Sequence, residues 1–157
     1  MMIPAVSKTV TVNAPIERAF QVFTESFNTW WPQQHHIRPM DLAEAVLEAK
    51  EGGRWYERSV DGDECEWGRV LAFEPPRRLL VSWQINGSFE YDPDPAHASE
   101  IEVRFTDLGV GQTRVDLEHR AFERHGADGQ RVHDGVGGTG GWSGIMDGYA
   151  KIAEAAA

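Results

Sequence analysis

Two glutamates and a histidine are the residues whose types and spacing could move protons. Asp61-Gly62 is a strong two-residue hairpin signal. On such a turn Val60 pairs with Asp63, and Glu57 faces Glu66 across the hairpin. Trp55, Glu57, Glu66 and Gly68 then share one face. Like charges directly opposite repel. If that face is buried, at least one carboxyl pKa rises, giving an acid/base pair or a seat for a cationic group. If it is solvated, two glutamates on it need no special account. His119 shares its strand face with Val115 and Leu117, which turns it inward, as a satisfied core residue or as a catalyst.

Other motifs promise chemistry but fail their context. Gly135-Val136-Gly137-Gly138-Thr139-Gly140 has the spacing G-x-G-x-x-G. A dinucleotide fingerprint needs a core strand just before it, and His125 to Asp134 is too polar to be one. Nucleotide binding is not expected, nor is any other cofactor. Gly137, Gly141, Gly144 and Gly148 would instead share one face of a continuous helix. Each interior glycine costs roughly 1 kcal/mol relative to alanine. The row therefore implies a closely pressing neighbour or space kept open for a ligand, unless a glycine-rich loop precedes a shorter helix. His35-His36, with His97, His125 or His133, lacks metal-ligand spacing, and no metal is expected. Ser143 lacks a nucleophile elbow. Cys65 lies between Glu64 and Glu66, which disfavours a thiolate.

The elements that must position these residues follow from periodicity. Val6 to Val12 alternates as a half-buried strand. Asn13 and Pro15 are helix start signals, followed by Ile16, Ala19, Phe20 and Phe23 at helical spacing. A second short helix runs from Phe27 to Trp31 and stops at Pro32, and residues 33–39 form a polar loop. Strands are expected at 42–49, 54–60, 64–73, 78–85, 100–106 and 113–118, with a long loop over 86–99. Trp142, Ile145, Met146, Tyr149, Ile152 and Ala153 form the apolar stripe of a C-terminal helix. The fold class is α+β, an antiparallel sheet packed on helices.

Composition narrows the partners. The chain has 157 residues, 41% of them apolar, and fits one domain over residues 1–157. A formal charge of −10 repels phosphate backbones and anionic lipid, so neither nucleic acid nor a membrane surface is expected as partner. The opening MMIPAVSKTVTV has no basic region ahead of an apolar run, so no signal peptide is expected. No apolar stretch reaches membrane-span length, and a cytoplasmic location is the expectation.

Several motifs together resemble the SRPBCC (START-like) domains, in the bacterial branch related to the activator of heat-shock protein 90 ATPase. They are Asn13-Ala14-Pro15-Ile16-Glu17-Arg18-Ala19-Phe20, Trp30-Trp31-Pro32, Gly52-Gly53-Arg54-Trp55, Gly68-Arg69-Val70, Glu74-Pro75-Pro76-Arg77-Arg78-Leu79 and Gly141-Trp142. The resemblance implies a helix-grip fold, a curved antiparallel sheet of about seven strands around a long C-terminal helix, with two short helices after the first strand. It also implies an apolar cavity between sheet and helix.

Six tryptophans and seven phenylalanines supply either core or cavity wall. Trp55, Trp83, His119, Gly141, Trp142 and Ile145 are the expected ligand-binding residues, with Trp30 and Trp31 at an entrance. Three functions are carried forward: binding of a small, largely apolar molecule; an enzyme of the cyclase, dehydratase or hydrolase type using Glu57, Glu66 or His119; and, implied by the resemblance, interaction with a chaperone ATPase.

Overall fold

A computed structural model of the chain describes residues 3–138 and 140–155. Strand β1 (Val6–Val12) leads into α1 (Ile16–Thr24) and α2 (Phe27–Trp30). Six strands follow: β2 (Leu42–Leu47), β3 (Arg54–Ser59), β4 (Glu64–Glu74), β5 (Arg78–Trp83), β6 (Ser99–Gly109) and β7 (Gln112–Arg120). Two further helices, α3 (Gly129–Gly137) and α4 (Trp142–Ala155), close the chain. The strands form one antiparallel sheet in the order β1-β7-β6-β5-β4-β3-β2. It curls as a half-barrel around α4, the helix-grip arrangement.

Periodicity explains the grip. Along α4, Trp142, Ile145, Met146, Tyr149 and Ala153 are buried at intervals of three and four residues, whereas Ile152, expected on the same stripe, stands exposed at its edge. Helix α1 presents Ile16, Ala19, Phe20 and Phe23 to the same core. The Tyr149 hydroxyl donates to the Ala19 carbonyl at 2.5 Å and fastens the two helices. Phe23 lies edge-on to Tyr149 and to Phe105 of β6. Asn13 does not cap α1 as its position predicts. Pro15 fills that place, while the Asn13 amide donates to Glu154 and its side chain accepts from Gln112.

The outer face of the sheet is held by charge. Glu102 on β6 is only 4% exposed and accepts hydrogen bonds from Arg78 on β5 and Arg120 on β7, with Arg104 paired beside it. Burial alone would raise its carboxyl, but the three guanidinium groups outweigh that and hold it down to about 2.

Two local departures from regular structure shape the interior. The β3–β4 connection is not the expected two-residue turn, because the Ser59 amide bonds to the Asp63 carbonyl and Arg58–Glu64 is the first paired position. A bulge then places Trp67 as an extra residue between the Trp55–Gly68 and Tyr56–Glu66 pairs. Glycine is required at position 68, where a Cβ would collide with the Ser82 carbonyl on β5. The second departure separates α3 from α4. The glycine row does not lie on one continuous helix, since α3 ends at Gly137 and α4 begins at Trp142; Thr139 lies outside the described residues. Gly141 makes a tight corner there, because a Cβ would strike the Val136 carbonyl.

Candidate functional site

Between the sheet, the 34–37 loop, the 85–89 loop, α3 and the start of α4 lies a cavity of about 600 Å³. Four of the six tryptophans line it: Trp31, Trp67, Trp83 and Trp142. Their rings form a connected wall, with centroids 5.1 Å apart for Trp31–Trp67, 6.0 Å for Trp67–Trp83 and 6.2 Å for Trp31–Trp142. Ile85, Val132, Val136 and Ile145 complete the apolar lining.

An indole N–H needs an acceptor when buried, and three of these four find one inside the wall. Trp31 Nε1 donates to the His35 carbonyl at 2.9 Å. Trp67 Nε1 donates to Glu57 Oε1 at 2.8 Å. Trp142 Nε1 donates to His119 Nδ1 at 3.0 Å. The hydrogen-bonding groups of those three are thus engaged within the protein, and what their rings present to the cavity is carbon surface.

This arrangement decides where two of the expected proton-transfer residues stand. Glu57 is fully buried behind Trp67, and its carboxylate also accepts from the Ile37 amide at 2.6 Å and the Arg38 amide at 3.1 Å. His119 is fully buried behind Trp142. Because Nδ1 accepts from the indole, the ring hydrogen sits on Nε2 and donates to Ser99 Oγ at 2.8 Å. Burial, reinforced by the charges of His125 and His133, holds the His119 pKa well below 6.5 and keeps the ring neutral. Neither residue lines the cavity.

The expected pairing of Glu57 with Glu66 is corrected by the register. Glu57 faces Cys65, and Glu66 pairs with Tyr56. The bulge and the longer turn put Glu66 on the opposite side of the sheet, where Arg54 bridges it and Glu64. The Cys65 thiol is pushed up to about 11 by burial and by the nearby Glu57.

Of the residues expected on the wall, Trp31, Trp83, Gly141, Trp142 and Ile145 line the cavity. Trp30, Trp55 and His119 do not. Trp30 packs against Phe23 and Tyr149, with its N–H on the Val22 carbonyl. Trp55 stands behind Trp67 and Trp83, and its N–H has no hydrogen-bond partner among the described residues.

Sequence reasoning missed Trp67, because a bulge reverses the strand parity from which its direction is read. It also missed α3. The apolar pair Val132 and Val136, four residues apart, was the available signal.

The cavity rim is polar. His35, His36 and Gln34 come from one loop, Asn86 and Phe89 from another, and Arg131 and Asp134 from α3. Phe89 is 71% exposed and holds a left-handed φ of 59°, an uncommon placement for a large aromatic. His133 and Gln130 hydrogen-bond Asp134 and hold its carboxyl below the usual range. Gly135 and Gly140 border the cavity with nothing within 4 Å of where a Cβ would stand, so at these positions glycine leaves room.

Comparison with known proteins places this architecture. The family "Activator of Hsp90 ATPase homolog 1-like protein" matches residues 13–154. Among solved structures, the chain is similar to an anthrahydroquino-γ-pyrone synthase, Txn09, complexed with SUM: 39% identity over 96% of this chain and 97% of that one, TM-score 0.68. It is also similar to CalC, a self-sacrificing resistance protein from Micromonospora echinospora: 32% identity over 98% and 96% of the two chains, TM-score 0.70. Protein MLL2253 from Mesorhizobium loti shares the fold at 19% identity, 98% and 99% coverage and TM-score 0.68. No curated protein matches the chain. No helix among the described residues is long and apolar enough to cross a membrane. A half-barrel sheet clasping its terminal helix, together with a family match along most of the sequence, makes this chain a member of the activator of Hsp90 ATPase homolog 1-like family within the SRPBCC superfamily.

Proposed function

We propose that the protein binds a planar, largely apolar aromatic molecule in the tryptophan-lined cavity. The observation that carries this reading is the orientation of the wall: Trp31, Trp67 and Trp142 turn their N–H groups to acceptors inside the protein. A volume of about 600 Å³ is within the range of small-molecule sites, about 300–1,000 Å³. It is roomy enough for a fused three-ring or four-ring compound. Ring faces stack on indoles without needing a particular polar group. The 39%-identical relative is named for a fused aromatic product, which supports the same ligand class here.

Titration with anthraquinone, followed by tryptophan fluorescence, tests the proposal. Saturable quenching with a micromolar dissociation constant is expected, and Gly135→Phe, which grows a ring into the open side of the cavity, weakens it at least tenfold. Absence of saturable quenching up to the solubility limit defeats the reading.

A second reading, turnover of the bound molecule, is favoured by titratable groups on the rim beside an otherwise apolar wall and by the synthase name of that relative. Its proton-transfer groups would come from the rim, since Glu57 and His119 already hold the wall from behind.

A further inference from the structure

His36 has a fixed tautomer. Its Nδ1 lies 2.6 Å from the Arg38 carbonyl oxygen. A carbonyl only accepts, so Nδ1 carries the hydrogen and Nε2 of the neutral ring keeps its lone pair. The carbonyl is itself held in place. The Ile37 and Arg38 amides both donate to buried Glu57, and the Arg38 guanidinium bonds to Ser59, Asp61 and Asp63. His36 lines the cavity, and Nε2 has no hydrogen-bond partner among the described residues.

From α3 comes one cation. Arg131 lines the cavity and makes no ion pair among the described residues, although the chain carries a net charge of −10. Its stem runs past Gly87, where a Cβ would meet the Arg131 Cδ at 3.0 Å. The other titratable groups on the cavity are His35 and Asp134, and the Asp134 carboxylate is engaged by Gln130 and His133. The rim thus offers one preset acceptor and one unpaired cation.

We propose that the ligand is a hydroxylated aromatic, a phenol or enol, whose hydroxyl is received by Nε2 of His36 while Arg131 offsets the negative charge left on its oxygen. This inference rests on the aromatic-binding reading above. In the step, the ligand O–H bond breaks, an Nε2–H bond forms, and the bonding electron pair stays on oxygen. The products are an imidazolium and a phenolate or enolate, with the guanidinium as second counter-charge. Stabilising the anion is also what primes an aromatic hydroxyl to act as a nucleophile.

The test compares anthraquinone with 2-hydroxyanthraquinone on the intact protein. The hydroxylated compound is expected to bind about tenfold tighter or more, the size of a hydrogen bond with charged character. Its absorption is expected to move to the band of the ionised dye at a pH where the free dye is still protonated. His36→Gln, which cannot take the proton, brings the affinity ratio towards one and abolishes the ionised band. Arg131→Gln, an exposed position, weakens that band. Equal affinity of the two compounds for the wild type, or an ionised band that persists in His36→Gln, overturns the proton acceptor and leaves the aromatic-binding reading standing. If neither compound binds, both fall.

Discussion

A buried imidazole with two partners, such as His119, contributes stability in only one charge state. Its ring accepts from Trp142 and donates to Ser99, which requires the neutral form. The folded-state pKa lies well below 6.5, whereas the unfolded chain takes up a proton near that ordinary value. Below about pH 6.5 the unfolded state therefore binds more protons, and stability falls as pH drops. Replacing His119 with Phe keeps a ring but leaves the Trp142 N–H without its acceptor. The expected outcome is a loss of about 1–3 kcal/mol near neutral pH, with a shallower decline towards pH 5 than the wild type shows. Urea unfolding at both pH values measures this, and an unchanged slope would remove His119 from the acid response. Cys65 illustrates the opposite case: a thiol pushed up to about 11 is protonated at neutral pH and stays a poor nucleophile.

At the scale of elements, the β3–β4 pair governs the site. Its bulge delivers Trp67 to the cavity and presses Gly68 against β5, so the wall and the glycine requirement have one origin. A methyl group at position 68 has no room beside the Ser82 carbonyl, which belongs to rigid sheet backbone. Gly68→Ala is expected to cost at least about 3 kcal/mol, in the range of severe overpacking, and to alter the tryptophan fluorescence of the folded fraction. A loss below about 0.5 kcal/mol, the usual range for an exposed site, would show that the strands separate easily there. The loop at 33–40 depends on the same strand. Glu57 of β3 holds two of its amides, and the Arg38 side chain reaches Asp61 and Asp63 beyond the end of that strand. Helix α3 is the weaker wall: Gly129 and Val132 are its buried residues, and Gly135 and Gly137 lower its helical propensity.

For the molecule as a whole, a ligand that binds only the folded state stabilises it by mass action. At a concentration of about 100 dissociation constants the gain is roughly 2.7 kcal/mol. For a domain of this length that corresponds to a rise of roughly 5–10 °C in melting temperature. 2-Hydroxyanthraquinone is expected to produce such a rise in the wild type and a smaller one in His36→Gln at equal concentration, as read by scanning calorimetry. No rise at saturating dye would contradict occupancy of the cavity. Which parts of this were legible in advance follows from how local each signal is. The succession of seven strands along the chain and the inward stripe of α4, Ile152 excepted, were set by the sequence alone, because side-chain period depends only on the local backbone. The inward turn of His119 was readable for the same reason. Tertiary structure alone decided that Trp67 joins the wall while Glu66 leaves the interior, since one bulged residue reverses strand parity. It alone decided that Glu57 and His119 serve as acceptors behind the wall, and that His36 faces the cavity with its tautomer already chosen. Those outcomes depend on contacts between residues far apart in the chain, which no local period encodes.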